Sequence, residues 1–182
     1  MAQILLVSGG SVAIHKACDL ASKLTQEGHR VRAILTRSAA KLVSPQLFEA
    51  LTGEPVSTEE FGPTRRTAMD HIELAKWGEL LLVAPASASL IARLAHGMAD
   101  DLVGTVALAL DAKRPRILCP AMNPIMLQAA AVQRNIARLS EDGWEILDPE
   151  EGHMACGDAG KGRLPDPQKI IERVAQRLAR AG

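Results

Sequence analysis

Tyrosine is absent from this chain, and Phe48, Phe61, Trp77 and Trp144 bring the aromatic share to only 2%. A chain without aromatic platforms is not expected to stack the bases of single-stranded nucleic acid. Neither charge sign dominates: 21 basic residues balance 21 acidic ones. That leaves no basic field for a phosphate backbone and no polybasic membrane signal, so no nucleic-acid or membrane partner is expected. Cysteine is scarce, and Cys18, Cys119 and Cys156 lie far apart with no CxxC pair. They offer neither a disulfide framework nor a zinc site, no metal is expected, and they suit a reducing, cytoplasmic setting. No apolar run approaches the ~20 residues of a membrane-spanning helix. Met1 leads straight into Ile4–Val7 with no basic leader, so no signal peptide is expected.

What is present is a globular composition, 47% apolar and 23% charged over 182 residues, expected to form one domain across 1–182. Strand and helix patterns alternate. Gln3–Ser8 reads as a strand, Val12–Glu27 as an amphipathic helix stopped by Gly28, and Arg30–Leu35 as a second strand. Pro45–Leu51 reads as a short helix, and Glu54–Asp70 as a loop. Leu80–Ala84 is a continuous apolar strand, the pattern of a parallel sheet covered on both faces. Ser87–His96 and Leu102–Leu110 read as helices, Arg116–Cys119 as a strand, Met126–Asp142 as one helix, and Trp144–Leu147 as a last strand. Glu150–Leu164, with four glycines, reads as a mobile loop or lid before a terminal helix over Pro167–Ala179. Repeated βα units predict a single-domain α/β fold: a three-layer, Rossmann-like sandwich with a parallel sheet flanked by helices.

Ligands of such sheets sit beyond the carboxyl ends of the strands. The turns there are Gly9–Ser11, Thr36–Ser38, Pro85–Ser89 and Pro120–Asn123, all small, polar or proline-marked. Gly9-Gly10-Ser11 suits either a phosphate at a helix start or simply a tight turn. It is not GxGxxG, and no acidic residue ends the second strand, so a dinucleotide is disfavoured. Ser87 or Ser89 can cap the helix that follows, or their small side chains can admit a flat ring. Asn123, ahead of Pro124, reads both as a helix N-cap and as an amide offered at a strand end. His71 is a candidate base near neutral pH, although a lone histidine is more often structural. Cys156 stands out as a thiol in a polar, glycine-rich stretch, against the bland reading of an incidental thiol. His15, His29, His96 and His153 receive no role.

Four ordered segments together resemble the flavin-containing cysteine decarboxylases. Pro85–Ser89 is similar to that family's PASANT segment, with Ser89 in place of Asn and Leu90 in place of Thr. Pro120–Met126 is similar to PxMNxxMW, with Leu127 in place of Trp. Met154–Gly157, inside GHMACGDAGKGRL, is similar to its substrate-clamp loop, and His71 in HIELAKWGE stands where the family has its catalytic histidine. The resemblance implies FMN, held by Gly10, Ser11, Thr36, Ser38, Ala86, Ser87, Ser89 and Met122. It implies His71 as base or orienter, Asn123 as carboxylate anchor and Cys156 as proton donor. The implied reaction converts 4′-phosphopantothenoylcysteine to 4′-phosphopantetheine in coenzyme A biosynthesis. It proceeds by oxidation to a thioaldehyde, loss of CO₂, and protonation and reduction of the enethiolate. A homotrimer or dodecamer is implied, with flavin at a subunit boundary. Bifunctional relatives continue into a synthetase, an activity expected to reside elsewhere. The alternatives are an oxidative decarboxylase of peptide C-terminal cysteine and a non-catalytic flavin-binding regulatory subunit.

Overall fold

The computed structural model describes residues 1–61, 69–153, 157 and 159–181. The most apolar segment sets the centre of the sheet. Strand β3 (Leu80–Ala86) is buried along its whole length. It lies between β1 (Gln3–Ser8) and β4 (Arg116–Pro120), with β2 (Arg30–Leu35) beyond β1 and the two-residue β5 (Glu145–Ile146) beyond β4. All four pairings are parallel, and Leu6 stands level with both Ala33 and Leu82.

Alternate side chains leave the sheet on opposite faces, and each face needs a helical cover. Ile4, Leu6, Leu80, Leu82, Ile117 and Cys119 face the layer of α1 (Ile14–Gln26), α3 (Pro45–Thr52) and α9 (Pro167–Ala181). Leu5, Val7, Leu81, Val83 and Leu118 face α4 (Asp70–Trp77), α5 (Ala88–Ala95), α6 (Leu102–Ala109) and α8 (Ala130–Glu141). The expected three-layer sandwich is therefore present. Cys119, fully enclosed, has its thiol pushed far up by burial and then by the Glu145 charge. No helix among the described residues is long and apolar enough to cross a membrane.

Three local expectations are corrected. Asp70–Trp77, which includes the tail of the expected loop, is helical: Leu74 and Ala75 give it a buried stripe of two turns, too short for a clear period in the sequence. Met126–Asp142 is not one helix: α7 (Pro124–Gln128) and α8 are separated by Ala129, whose extended ψ of 129° breaks the helical path. The expected glycine-rich lid contains a second, two-stranded sheet, β6 (Glu150–His153) antiparallel to β7 (Ala159–Arg163). Its glycines hid the strand pattern. Gly152 adopts a φ of +153°, which a side chain tolerates poorly.

The strand order β2-β1-β3-β4-β5 reverses direction between β1 and β3. Crossovers leave to opposite sides at that point and open a crevice at the carboxyl edge. The short α2 (Arg37–Ala40), after β2, borders it.

Candidate active site

A cavity of about 630 Å³ fills this crevice, within the usual range for cofactor and small-molecule sites. Its floor comes from three strand ends. After β1, the amide of Gly9 donates to the Pro85 carbonyl at 2.8 Å, which ties the first turn to the third. A Cβ on Gly9 would lie 2.9 Å from that carbonyl oxygen, and one on Gly10 would lie 2.5 Å from the Ser38 Cβ. Only glycine permits so close a turn, and it leaves backbone exposed to the cavity beside the start of the 13-residue α1.

After β3, Ser87 caps α5 by accepting the Leu90 amide, and Ala88 lines the cavity behind it. After β4 come Ala121, Met122 and Asn123. The Asn123 side chain accepts the Ile125 amide at 2.8 Å, so it is the N-cap of α7 with Pro124 in the first turn, and it lines the cavity as well. The N-cap reading of Asn123 is borne out, and the residue lines the cavity. The far wall is the β7 end of the hairpin: Gly162, Arg163 and Leu164, with His153 from β6. The Met122 amide donates to the Gly162 carbonyl and the Lys16 Nζ donates to the Leu164 carbonyl, which tie the hairpin to the floor.

Of the residues expected around a cofactor, Gly10, Ser11, Ser87 and Met122 line this cavity. Ser38 stands just behind Gly10. Thr36 caps α2 by accepting the Ala39 amide at 3.2 Å and lines a smaller neighbouring cavity. Ala86 lies beneath the floor, fully buried, and Ser89 is exposed on α5; neither lines the cavity. Of the expected catalytic residues, Asn123 lines the cavity and Cys156 lies outside the described residues. His71 does not line the cavity. It starts α4, with Nδ1 2.9 Å from Glu60 Oε1. The other end of α4 meets the start of the sheet, where the Glu79 amide donates to the Gln3 carbonyl. His71 is therefore raised toward the carboxyl edge, the cavity's edge, by a helix of eight residues, about 12 Å.

Sequence reasoning missed His15, Lys16, His153 and Arg163, which line the cavity as well. The pair His15–Lys16, in the first turn of the helix that follows the glycine turn, was the available signal. Burial, and after it the Arg163 guanidinium, push the Lys16 ammonium below the ordinary lysine range.

These features fit a phosphorylated mononucleotide: a glycine turn too tight for side chains, a small-residue floor, basic walls, and no acid closing β2 to hold the ribose of a dinucleotide. The Flavoprotein family model matches residues 1–179. The chain belongs to the Flavoprotein family. It is 43% identical over 176 residues to the coenzyme A biosynthesis bifunctional protein of Bacillus subtilis, covering 97% of this chain and 43% of that one. The chain thus spans less than half the length of such bifunctional relatives. It is 39% identical to a probable phosphopantothenoylcysteine decarboxylase of Streptococcus mutans, with 97% and 98% of the two chains covered. The fold is similar to that of the FMN-dependent cysteine decarboxylase SpaF, with a TM-score of 0.84, 30% identity, and 100% and 97% of the two chains covered.

Proposed function

We propose that this flavoprotein decarboxylates 4′-phosphopantothenoylcysteine to 4′-phosphopantetheine with FMN as cofactor. The observation that carries the reading is Asn123, an amide fixed by its capping bond at the mouth of a basic cavity that lies on a glycine-rich mononucleotide turn. The S. mutans relative supports the substrate, and SpaF supports the cofactor. FMN supplies reversible two-electron chemistry, which a cysteine-derived carboxylate needs before it can lose CO₂ readily.

Gly10 and Ser11 amides would hold the cofactor phosphate, and Ser87, Ala88 and Met122 would bound its ring. Asn123 holds the substrate carboxylate through its side-chain amide. Cys156 donates the proton that the enethiolate needs after CO₂ has left. His71 acts as base or orienter, and because it is outside the cavity of its own chain, it serves the cavity of a neighbouring copy in a homotrimer or a multiple of one. The Glu60 carboxylate beside Nδ1 favours Nε2 as the nitrogen presented to substrate.

The test is turnover of 4′-phosphopantothenoylcysteine by FMN-loaded protein, with CO₂ and product mass measured. The expected product is 4′-phosphopantetheine. Release of CO₂ with only the oxidised enethiol accumulating would instead support an oxidative decarboxylase. No CO₂ from flavin-loaded protein would overturn the enzyme reading.

A further inference from the structure

Every titratable side chain lining the described cavity is basic: His15, Lys16, His153 and Arg163. No aspartate or glutamate is among the described lining residues. We propose that His15, His153 and Arg163 form an anion subsite that takes the terminal phosphate of the substrate and so selects phosphorylated over unphosphorylated substrate. The proposal rests on the decarboxylase reading for the identity of the molecule that carries the phosphate.

The cavity has two chemically distinct walls. The floor, from the turns after β1, β3 and β4, is small and neutral. The charged groups come from elsewhere: His15 and Lys16 from the first turn and a half of α1, His153 and Arg163 from the β6–β7 hairpin. A phosphate between these two elements meets donors from both. His15 Nδ1 lies 2.9 Å from the Val12 carbonyl and donates to it, which leaves Nε2 as the nitrogen available to a ligand. A protonated ring offers its Nε2–H as a donor to a phosphate oxygen.

The hairpin is built to place Arg163. Its guanidinium passes over Gly152, where an added Cβ would sit 3.1 Å from Nη1 and 3.3 Å from Cδ. A side chain at 152 would crowd the arginine by a few tenths of an ångström. Glu150 stands 3.8 Å from Arg163 Nη2 but makes its short contact, 2.6 Å, with Lys169, so it steadies the guanidinium without a close pair. Lys16 contributes charge while its ammonium group is engaged by the Leu164 carbonyl. The Lys16 ammonium feels the Arg163 charge as well as the Glu150 and Asp166 carboxylates, and no acid among the described residues lines the cavity, so a bound dianion meets a positive field there. The cofactor phosphate would sit at the Gly10–Ser11 turn, and the experiment separates the two.

FMN-loaded protein is titrated calorimetrically with 4′-phosphopantothenate and with pantothenate, which differ only in the phosphate. Wild type is expected to bind the phosphorylated compound at least about tenfold more tightly, the scale of one charge-assisted hydrogen bond. Arg163→Gln, and separately the His15→Gln/His153→Gln double variant, are expected to lose about tenfold for 4′-phosphopantothenate and to change little for pantothenate. Arg163→Lys should retain part of the preference, as a point charge without the guanidinium fork. FMN retention after desalting should match wild type in all of them. Equal weakening of both compounds, no preference in wild type, or loss of FMN with the ligand preference intact would each overturn the proposal. A protein that prefers the phosphorylated compound yet releases no CO₂ from any substrate would sink the decarboxylase reading and leave the subsite standing.

Discussion

Asn123 caps α7, and in the proposed reaction it also anchors the substrate carboxylate; a single substitution separates the two. Asp caps a helix as well as Asn, because one side-chain oxygen suffices for the Ile125 amide. Asn123→Asp should therefore leave the melting temperature unchanged within about 2 °C while retaining α7. Its carboxylate would face the carboxylate of the substrate, and CO₂ release should fall at least ~100-fold, since like charges placed together cost several kcal/mol. A thermal melt beside a CO₂ assay reads both. Gly10→Ala tests the turn. Its methyl would meet the Ser38 Cβ at 2.5 Å, and the FMN dissociation constant, followed by flavin fluorescence, should rise about tenfold, as overpacking by one methyl commonly costs 1–3 kcal/mol. Cys156→Ser should still oxidise and decarboxylate, with the oxidised enethiol accumulating by mass spectrometry; near wild-type formation of 4′-phosphopantetheine would assign the proton to another donor. Asn123 and the glycine turn were legible because strand-end position and residue type are local facts. His15 and His153 were not, because their place on the cavity depends on a hairpin meeting α1 more than 130 residues away in sequence.

Ion pairs tie the β6–β7 hairpin to its surroundings. Glu150 joins it to α9 through Lys169 and lies near Arg163. The Lys169 hydrogen bond, foremost among several causes, holds the Glu150 carboxyl below the ordinary carboxylate range. A depressed carboxylate contributes stability that is present above its unfolded pKa and lost as pH falls through the folded value. Protease cleavage within 150–163 should thus be slow at neutral pH and accelerate once pH drops below about 4, where carboxylates protonate. Glu150→Gln should show the faster cleavage already at pH 7 and flatten that acid dependence; an unchanged profile would mean that the ion pairs do not hold the hairpin. This sheet escaped the sequence reading because β7 reads Ala-Gly-Lys-Gly-Arg, which offers no apolar alternation to recognise. The central strands were legible for the opposite reason: Leu80–Ala84 is buried on both faces, and its composition says so without any neighbours. Helix α4 was lost between these cases, as two turns carry too few buried positions to establish a period.

At the scale of the whole molecule, apolar surface stands open around the cavity of one chain. Val12, Ile125 and Met126 leave large apolar surface at and beside the cavity mouth, with Ile125 78% exposed, while His71 lies outside the cavity lining. Light scattering of flavin-loaded protein should give a multiple of three times the 19.4 kDa chain, and a loaded monomer would contradict the shared-site arrangement. Mixing offers a sharper check. Oligomers reassembled from inactive His71→Asn and inactive Asn123→Asp chains should regain activity, because some cavities then receive one sound residue from each chain. No recovery would place both residues within a single subunit's chemistry. The sealed position of Cys119 has a kinetic consequence. Its thiol, enclosed in the sheet and held protonated, is closed to alkylating reagents while the fold is intact. Its labelling rate in a Cys18→Ser/Cys156→Ser background should therefore follow the opening of the central sheet alone, giving the protein a thiol clock for excursions whose open population is too small for an equilibrium signal to register.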